Sequence, residues 1–474
     1  MSTAAREFHR KAAEKAPDLV HRQIIQRNMV SYDIAVDKAK GRFRDWQAGR
    51  RRAQQIKWEA INNLDKLLEQ FEAKILERGG HVFWAADAQE ACKYVVDLAR
   101  RRGVKTVVKS KSMVTEEILL SPALEKEGMQ VWETDLGEWI VQLRHEPPYH
   151  IVTPAMHLSR QDISRLFREK VDPTIDTDDP QKLVAVARRF LRRAFFAAEM
   201  GISGANFLVA DAGMVAISTN EGNARLTTSV PPLHVVVTGI EKVIPRLENL
   251  GLFWPLLATS GTGQPITTYS TLIGGPRKAG EVDGPEEFHV VLVDNGRSRL
   301  LADPEQREIL HCIRCGACLN ACPVYRNIGG HTYGTIYPGP IGSVLTPNLA
   351  GIEEFHHLPF ASSLCGACRE VCPVRIDLPL HLLQNRRKVA ESGIPGLAEM
   401  AGFKVWSWAM MSPQRYVFFG ALSRMGMRMV KALGLSGSLL DPMRPWTKYR
   451  AALPAPRQSF RELWRKQRVV EKPE

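Results

Sequence analysis

The sequence has no uncharged apolar run near the ~18–20 residues that a membrane-spanning helix needs. Its first residues include Arg6, Glu7, Arg10 and Lys11 and contain no apolar core of the kind found in a secretory signal. Charged residues make up 24% and hydrophobic residues 44% of the 474 residues, which argues against wholesale disorder. These features predict a globular protein of the cytoplasm.

Nucleotide-binding signatures are also missing. There is no Gly-x-Gly-x-x-Gly turn between a strand and a helix, and no Walker A loop. The sequence therefore predicts no NAD or flavin site in this chain. A hydride acceptor, if the reaction needs one, is expected on another subunit.

Cysteine is scarce along most of the chain. Cys92 stands alone, and the other seven cysteines fall between residues 312 and 372. Disulfide frameworks are typical of small secreted domains and do not suit a chain of this size without a secretory signal. The clustered thiols are therefore predicted to bind metal.

The first cysteine group has the spacing of bacterial two-cluster ferredoxins, C-x2-C-x2-C-x3-C-P. It consists of Cys312, Cys315, Cys318 and Cys322, followed by Pro323. Three thiolates on a tight turn can reach three irons of one cubane, whereas the fourth is directed toward a second cluster.

The second cysteine group is Cys365, Cys368 and Cys372, and the position that matches Cys312 is Ser362. Crossed ligation of the ferredoxin type assigns one cluster to Cys312, Cys315, Cys318 and Cys372, and the other to Cys322, Cys365 and Cys368. Three options remain open for the second cluster. It is a [4Fe-4S] cluster with a non-cysteine ligand such as Ser362, Ser363 or solvent, a [3Fe-4S] cluster, or a cluster whose open iron binds a substrate or a partner's ligand.

Zinc is the alternative metal. Zinc ligands usually come as C-x2-C pairs that complete a set of four, which a run of four cysteines with a trailing proline does not match.

We interpret Cys92, which lies outside both cysteine groups, as a buried structural thiol.

Composition and periodicity predict four regions. We expect an N-terminal helical region (1–80), an α/β domain with some parallel sheet (81–300), a cysteine-rich module (301–385) and a basic helical extension (386–474). The predicted strands are Lys105–Lys109, His150–Thr153, Asn206–Ala210, Met214–Ser218, His234–Thr238 and His289–Val293. One helix is predicted to start at Pro180 with Asp179 as its cap.

Four polar stretches of the α/β domain are candidates for a small-molecule pocket. They are Lys109–Glu117, Glu133–Glu138, Asn220–Arg225 and Asp294–Arg297. The first, with two lysines at a predicted helix start, is expected to attract an anion. The alternative is that these polar residues only form turns and cap helices, without binding a ligand. We expect packing or hydrogen-bonding roles for His157, His234 and His289.

Positive charge is concentrated at the two ends of the chain, and the net charge is +13. Residues 404–431 alternate bulky apolar side chains with lysine and arginine, a pattern that favours either a membrane-surface helix or packing against protein. The charge is not accompanied by a recognisable RNA- or DNA-binding module, so the sequence does not favour nucleic-acid binding.

Taken together, the motifs Val107–Met113, Glu133–Glu138, Asn220–Asn223, Asp294–Arg297 and Cys312–Cys318 resemble the lactate utilization protein B family over roughly residues 15–450. The resemblance implies a lactate-utilisation (LUD) domain of NagB/RpiA/CoA-transferase-like α/β fold, then an α-helical ferredoxin-type domain with two [4Fe-4S] clusters. It implies the same cysteine assignment, with Ser362 as part of the family's pattern.

The resemblance also implies a function. The chain is expected to be the iron–sulfur electron-transfer subunit of an NAD-independent L-lactate dehydrogenase complex. Expected partners are a cysteine-rich-domain subunit and a smaller LUD-domain subunit, with peripheral contact to the inner face of the membrane as a further expectation. The alternative is a catalytic subunit that binds lactate or glycolate in the LUD domain, with catalytic residues unassigned.

Overall fold

The computed structural model describes residues 1–394, 396–439, 441, 443–447, 450–451 and 454–470. The chain divides into two compact units, Met1–Glu391 and Ser392–Glu474. The predicted boundaries after residues 80 and 300 fall inside the first unit and stay predictions.

Four helices open the first unit. They are α1 (Thr3–Lys15), α2 (Leu19–Lys40), α3 (Trp46–Asn62) and α4 (Leu64–Glu77). Side-chain caps begin three of them, since Ser2, Asp18 and Asp45 each accept a hydrogen bond from a backbone N–H of the first turn. One face of α4 is apolar, and its residues Leu64, Leu68, Phe71 and Ile75 are buried.

A six-stranded sheet follows, in the order β1-β10-β7-β4-β2-β3, and every pair of neighbouring strands is parallel. Its strands are β1 (His81–Ala85), β2 (Thr106–Lys109), β3 (Gln130–Glu133), β4 (Met200–Ser203), β7 (Leu233–Gly239) and β10 (Glu287–Val293). All residues of β7 are buried, as expected for a strand covered on both faces.

A smaller sheet has the order β8-β5-β6-β9. Its strands are β5 (Phe207–Val209), β6 (Met214–Thr219), β8 (Val243–Ile244) and β9 (Tyr269–Ile273). The helices of this region are α5 (Ala88–Arg101), α6 (Met113–Glu117), α7 (Leu120–Lys126), α8 (Leu136–Leu143), α9 (Arg160–Lys170), α10 (Pro180–Ala197), α11 (Asn223–Ser229) and α12 (Leu250–Thr262). The predicted α/β class with parallel sheet is confirmed.

Local predictions in this region had mixed outcomes. Asp179 caps α10 as predicted, with its carboxylate accepting from Gln181 N at 2.8 Å. The predicted strand His150–Thr153 is wrong. The ring Nδ1 of His150 accepts hydrogen bonds from Val152 N and Thr153 N, and this turn replaces strand pairing.

Short helices dominate the rest of the first unit. They are α13 (Arg297–Ala302), α14 (Ala317–Ala321), α15 (Pro323–Ile328), α16 (Gly339–Ala350), α17 (Ile352–Phe355), α18 (Ala367–Val371) and α19 (Leu378–Glu391). Single 3-10 turns span Ile240–Lys242, Leu247–Asn249, Arg307–His311, His331–Tyr333 and Leu358–Phe360. This module shares one apolar core with the N-terminal helices and the smaller sheet, in which Leu319 and Tyr325 join Ile25, Met29 and Phe253.

The second unit is helical, as predicted for the C-terminal extension. It contains α20 (Leu397–Met410), α21 (Pro413–Ala432), α22 (Arg444–Thr447) and α23 (Phe460–Val470). Across the described part of the chain, every helix is too short or too polar to cross a membrane.

Candidate metal centre and adjoining cavity

The first cysteine loop lies between the 3-10 turn Arg307–His311 and α14. Two residues of this loop have left-handed backbone, Arg314 with φ 59° and Gly316 with φ 79°. Gly316 has little room for a side chain, since a Cβ there would lie 3.0 Å from Val152 Cγ2. The tight turn brings Cys312, Cys315 and Cys318 to one side of the loop.

Cys372 joins these three cysteines across a long stretch of sequence. All four line one small cavity, which is closed by apolar side chains of Ile151, Ile313, Ile341, Val374, Ile376 and Leu378. Burial and the neighbouring thiols raise the pKa of Cys315 and hold that of Cys318 well above its usual range. Four crowded thiols in an apolar pocket fit a metal cluster that takes thiolate ligands.

The other three ferredoxin-type cysteines form a separate group. Burial, followed by the charges of Cys322 and Cys365, raises the pKa of Cys368 to about 12. The pKa of Cys322 is likewise raised by burial and by Cys365. Cys365 itself is exposed, so this second group lies nearer to the surface than the first.

The second cysteine loop repeats the backbone of the first. Leu364 has φ 55° and Gly366 has φ 87°, at the positions that match Arg314 and Gly316. Cys312 Sγ accepts a hydrogen bond from the N–H two residues later at 3.4 Å, and Ser362 Oγ does the same at 3.1 Å. Ser362 therefore occupies the structural position of Cys312.

Backbone N–H groups are directed at several sulfur atoms. Tyr325 N donates to Cys322 Sγ at 3.5 Å, and Ile376 N donates to Cys372 Sγ at 3.3 Å. Such bonds stabilise thiolates and tune the reduction potential of iron–sulfur clusters. The residues present thus fit iron–sulfur clusters, while the assignment of individual ligands stays a prediction.

The N-terminal helix α3 braces the loop that carries Cys372. Arg50 Nε donates to Cys372 O at 2.9 Å and its Nη2 donates to Arg369 O at 3.1 Å. The sequence did not reveal this role, because nothing distinguishes Arg50 from Arg51 and Arg52 beside it.

Cys92 lies apart from both groups. Its thiol donates to Ile118 O at 3.1 Å and packs against the apolar residues beneath the large sheet. Burial raises the pKa of this thiol. These contacts fit the structural role predicted for it.

A cavity of about 350 Å³ lies between the large sheet and the first cysteine loop. Three of the four predicted polar stretches contribute to it, through Lys111, Asp135, Asn220, Glu221 and Asn223. Burial and the nearby Asp135 raise the pKa of Glu221 to about 7.

Two predicted candidates do not reach this cavity. Lys109 is fully buried and pairs with Glu116 at 2.8 Å and Glu133 at 2.7 Å, so it is not available to an anion. The helix that follows, α6, has five residues and provides no extended dipole. Arg297 is also fully buried, and it pairs with Glu117 at 2.8 Å and Glu241 at 2.6 Å.

The cavity is also lined by residues outside the four predicted stretches, among them Thr238, Lys242 and Arg314. Burial, followed by the charge of Arg314, lowers the pKa of Lys242 to about 8. Thr238 could have been found from the sequence, because it is a polar residue at the carboxyl end of a predicted parallel strand, where ligands usually bind. Arg314 and Lys242 meet only through tertiary packing.

A buried ionic network joins the cavity wall to the α/β domain. Arg314 Nη2 donates to Glu241 Oε1 at 3.3 Å, and Tyr337 Oη donates to Glu117 Oε2 at 2.6 Å. Although burial opposes ionisation, Arg297 and Arg314 lower the pKa of Glu241 to about 2. The carboxylate therefore stays charged beside the cysteine loop.

The predicted packing roles of the three histidines agree with their contacts. His234 hydrogen-bonds Ser203 at 2.8 Å, and His289 hydrogen-bonds Tyr94 at 2.9 Å. His157 bonds Glu146 at 3.0 Å. Ligand atoms of Glu146, His157 and His331 lie within 4.8 Å of one another, but no further observation indicates a metal there.

Comparison with known proteins agrees with this geometry. Residues 68–293 match the LUD domain family and residues 308–376 match the 4Fe-4S dicluster domain family. Lactate utilization protein B of Bacillus velezensis is 44% identical over 432 residues, which cover 91% of this chain and 90% of that protein. The chain belongs to the lactate utilization protein B family. It is therefore an iron–sulfur protein with an N-terminal LUD domain, as the resemblance implied.

One further relative is similar over the full length, and one solved structure over about half of the chain. The uncharacterized electron transport protein YkgF of Escherichia coli is 41% identical, with 100% of this chain and 99% of that protein covered. A solved structure of a DUF162 family protein from Deinococcus radiodurans is 15% identical and covers 48% of this chain and 98% of that chain. Its TM-score of 0.27 is too low to bear on the fold.

Proposed function

We propose that this chain is the electron-transfer subunit of a multi-subunit system that oxidises L-lactate to pyruvate, and that electrons pass through two [4Fe-4S] clusters. The observation that carries the proposal is the division of seven cysteines into two groups, four around one cavity and three beside it. The names of the relatives, which refer to lactate utilization and electron transport, support the same role.

In this proposal Cys312, Cys315, Cys318 and Cys372 hold the first cluster, and Cys322, Cys365 and Cys368 hold the second. Iron–sulfur clusters take up and release single electrons. The protein contributes thiolates, backbone N–H donors and apolar walls, which set the potential and limit access of water. The second group offers three thiolates, so it would hold either a [4Fe-4S] cluster with a non-cysteine fourth ligand such as Ser362, or a [3Fe-4S] cluster.

Lactate oxidation removes two electrons, and the sequence carries no nucleotide-binding turn for a hydride acceptor. The proposal therefore places the first acceptor on another subunit. The proposed partners are a cysteine-rich-domain subunit and a smaller LUD-domain subunit, and the proposed location is the cytoplasm.

The crossed ligation can be tested with Cys372→Ser in the full-length protein, purified without oxygen. We expect iron and acid-labile sulfide to fall by roughly half, with the EPR signal of the first cluster lost and that of the second retained. Cys92→Ser is the matched control, because its thiol lies in the other core, and it should leave both signals unchanged. Native protein free of iron and sulfide would refute the proposal.

A catalytic role is the second candidate, and one observation favours it. The 350 Å³ cavity of the LUD domain is bordered by Cys315 of the first group, so a 2-hydroxy acid bound there would lie beside a cluster. Reduction of the clusters by L-lactate in the purified chain, without partner or flavin, would establish this role and exclude a pure relay.

A further inference from the structure

The cavity lies where the topology of the large sheet changes direction. From β2 the chain proceeds to β3 on one side, whereas from β4 it proceeds to β7 on the other. Ligands of open parallel sheets bind outside the carboxyl ends of the strands at such a point. Ser110 follows β2 and Gly204 follows β4, and both line the cavity.

One part of the cavity wall is cationic. Lys242 is 7% exposed, and its Nζ makes no hydrogen bond or ion pair with any residue that the structure describes. Arg314 is 9% exposed, and its Nη1 also lacks a partner there. Glu241 is a counter-charge to both cations, but its carboxylate oxygens already pair with Arg297 and Arg314. The Lys242 ammonium therefore lacks a direct partner, and this wall favours an anion as occupant.

Neutral polar groups of the wall are unpaired as well. Thr238 Oγ1, at the end of β7, has no partner among the described residues and its side chain is 1% exposed. Asn223 Oδ1 and Ser218 Oγ are likewise unpaired. Since buried polar groups are nearly always hydrogen-bonded, these positions indicate a ligand or ordered water with several polar atoms.

The remaining wall indicates what kind of anion fits. Val152, Val237 and Leu257 are apolar and suit an organic body rather than a bare inorganic ion. Asp135 and Glu221 also line the cavity, and their negative charge disfavours an occupant with a second negative charge. A small organic acid with a single carboxylate meets both requirements.

We propose that this cavity binds a small organic monocarboxylate held by Lys242 and Arg314, and that the bound anion lowers the reduction potential of the cluster ligated by Cys315. The potential falls because a negative charge beside the cluster disfavours the addition of an electron, and the low dielectric of the interior strengthens this effect. By linkage, the reduced protein binds the anion more weakly than the oxidised protein does. The inference rests on the proposed first cluster.

Binding is tested by isothermal titration calorimetry of the oxidised, anaerobically purified full-length protein. The probe is pyruvate, with uncharged pyruvamide and inorganic phosphate as comparisons. We expect saturable pyruvate binding, weak binding of the other two, and roughly tenfold or greater loss of pyruvate affinity in Lys242→Met. Thr238→Val is a second variant of nearly unchanged shape that should also weaken binding. Lys105→Met, an exposed lysine outside the cavity, is the control.

The coupling is tested by a redox titration of the first cluster, followed by EPR with and without saturating pyruvate. A downward shift of 59 mV would correspond to tenfold weaker binding to the reduced protein. Lys242→Met should retain its iron and lose most of the shift.

The outcomes separate this inference from the proposed function. Iron-replete protein that does not bind pyruvate overturns the inference, and the cations then serve only to offset the charge of the cluster. Binding of phosphate alone overturns the carboxylate assignment, and binding without a shift in potential overturns the coupling. Pyruvate binding to a protein that never holds iron supports the site and refutes the proposed function.

Discussion

The two cysteine loops differ at the position of their first ligand, which is Cys312 in one and Ser362 in the other. Ser362 Oγ and Cys312 Sγ accept the same kind of backbone hydrogen bond, and the residues that follow them share left-handed positions. The second loop is therefore shaped to present a ligand at residue 362. A serine at this position leaves the second group with three thiolates.

We predict that Ser362→Cys adds a fourth thiolate to the second cluster. Mild oxidation of the variant should produce several-fold less [3Fe-4S] EPR signal than oxidation of the native protein, because the exchangeable iron gains a thiolate ligand. Ser363→Cys is the control, since its side chain is exposed and lies one position further along. A protective effect of Ser363→Cys alone would show that residue 362 is not the equivalent of Cys312.

Arg297 is the residue whose loss should most disturb the fold near the cavity. It is fully buried, and its removal leaves Glu241 and Glu117 without their main counter-charge. We predict that Arg297→Met lowers the free energy of unfolding by about 3–5 kcal/mol, measured by urea denaturation. Arg387→Met breaks only exposed ion pairs, with Glu305 and Glu391, and should change the free energy of unfolding by about 0–1 kcal/mol. Equal effects would contradict a structural role for the buried network.

At the scale of elements, helix α3 stabilises the loop that carries Cys372. Arg50 donates to the carbonyl oxygens of Cys372 and Arg369, which are more than three hundred residues away in sequence. The N-terminal helices are thus part of the framework around the metal centre. Arg326 adds a second tie to these helices, through its ion pair with Asp33.

We predict that Arg50→Met speeds the loss of iron from the first cluster. The substitution leaves the carbonyls of Cys372 and Arg369 without their donor, so the Cys372 loop opens more often. Release of iron to a chelator should be several-fold faster than in the native protein. Arg52→Met, an exposed change on the same helix, should leave the rate unchanged. An unchanged rate in Arg50→Met would show that α3 does not hold this loop.

At the scale of the whole molecule, the seven ferredoxin-type cysteines and the cavity all belong to the unit Met1–Glu391. The second unit carries exposed aromatic side chains, among them Phe403, Trp406 and Phe418, together with Arg424 and Arg428. Exposed apolar area on this scale is typical of interaction surfaces. We propose that this unit contacts a partner subunit, with peripheral membrane contact as the alternative.

We predict that a chain truncated after Glu391 keeps the iron and sulfide content of the full-length protein, because every proposed ligand remains. Metal analysis and EPR of the two proteins make the comparison. Flotation with anionic vesicles then distinguishes the roles of the second unit. Flotation of the full-length chain but not of the truncated chain would show that the second unit binds membranes. If neither chain floats, contact with a partner subunit remains as the role of the second unit. Loss of iron on truncation would contradict the prediction.

The sequence by itself determined the class of fold and the chemistry of the metal centre. Cys312, Cys315, Cys318 and Cys322 are close in sequence, so their spacing alone predicts three thiolates on one turn and a fourth directed toward a second cluster. The buried strands β7 and β10 were predictable for a similar reason, since their valine-rich runs are local. Strands β3 and β4 were not predicted, because four residues are too few to show a hydrophobic pattern in the sequence.

Only the tertiary structure decided which distant residues meet. Lys109 and Lys111 are two residues apart, yet Lys109 is paired in the core and Lys111 lines the cavity, because strand β2 ends at Lys109 and the chain then turns toward α6. Lys242, Arg314 and Thr238 come from separate elements and converge only when the cysteine loop packs against the carboxyl ends of the sheet. Contacts of this kind depend on the packing of whole elements, which the order of residues along the chain does not display.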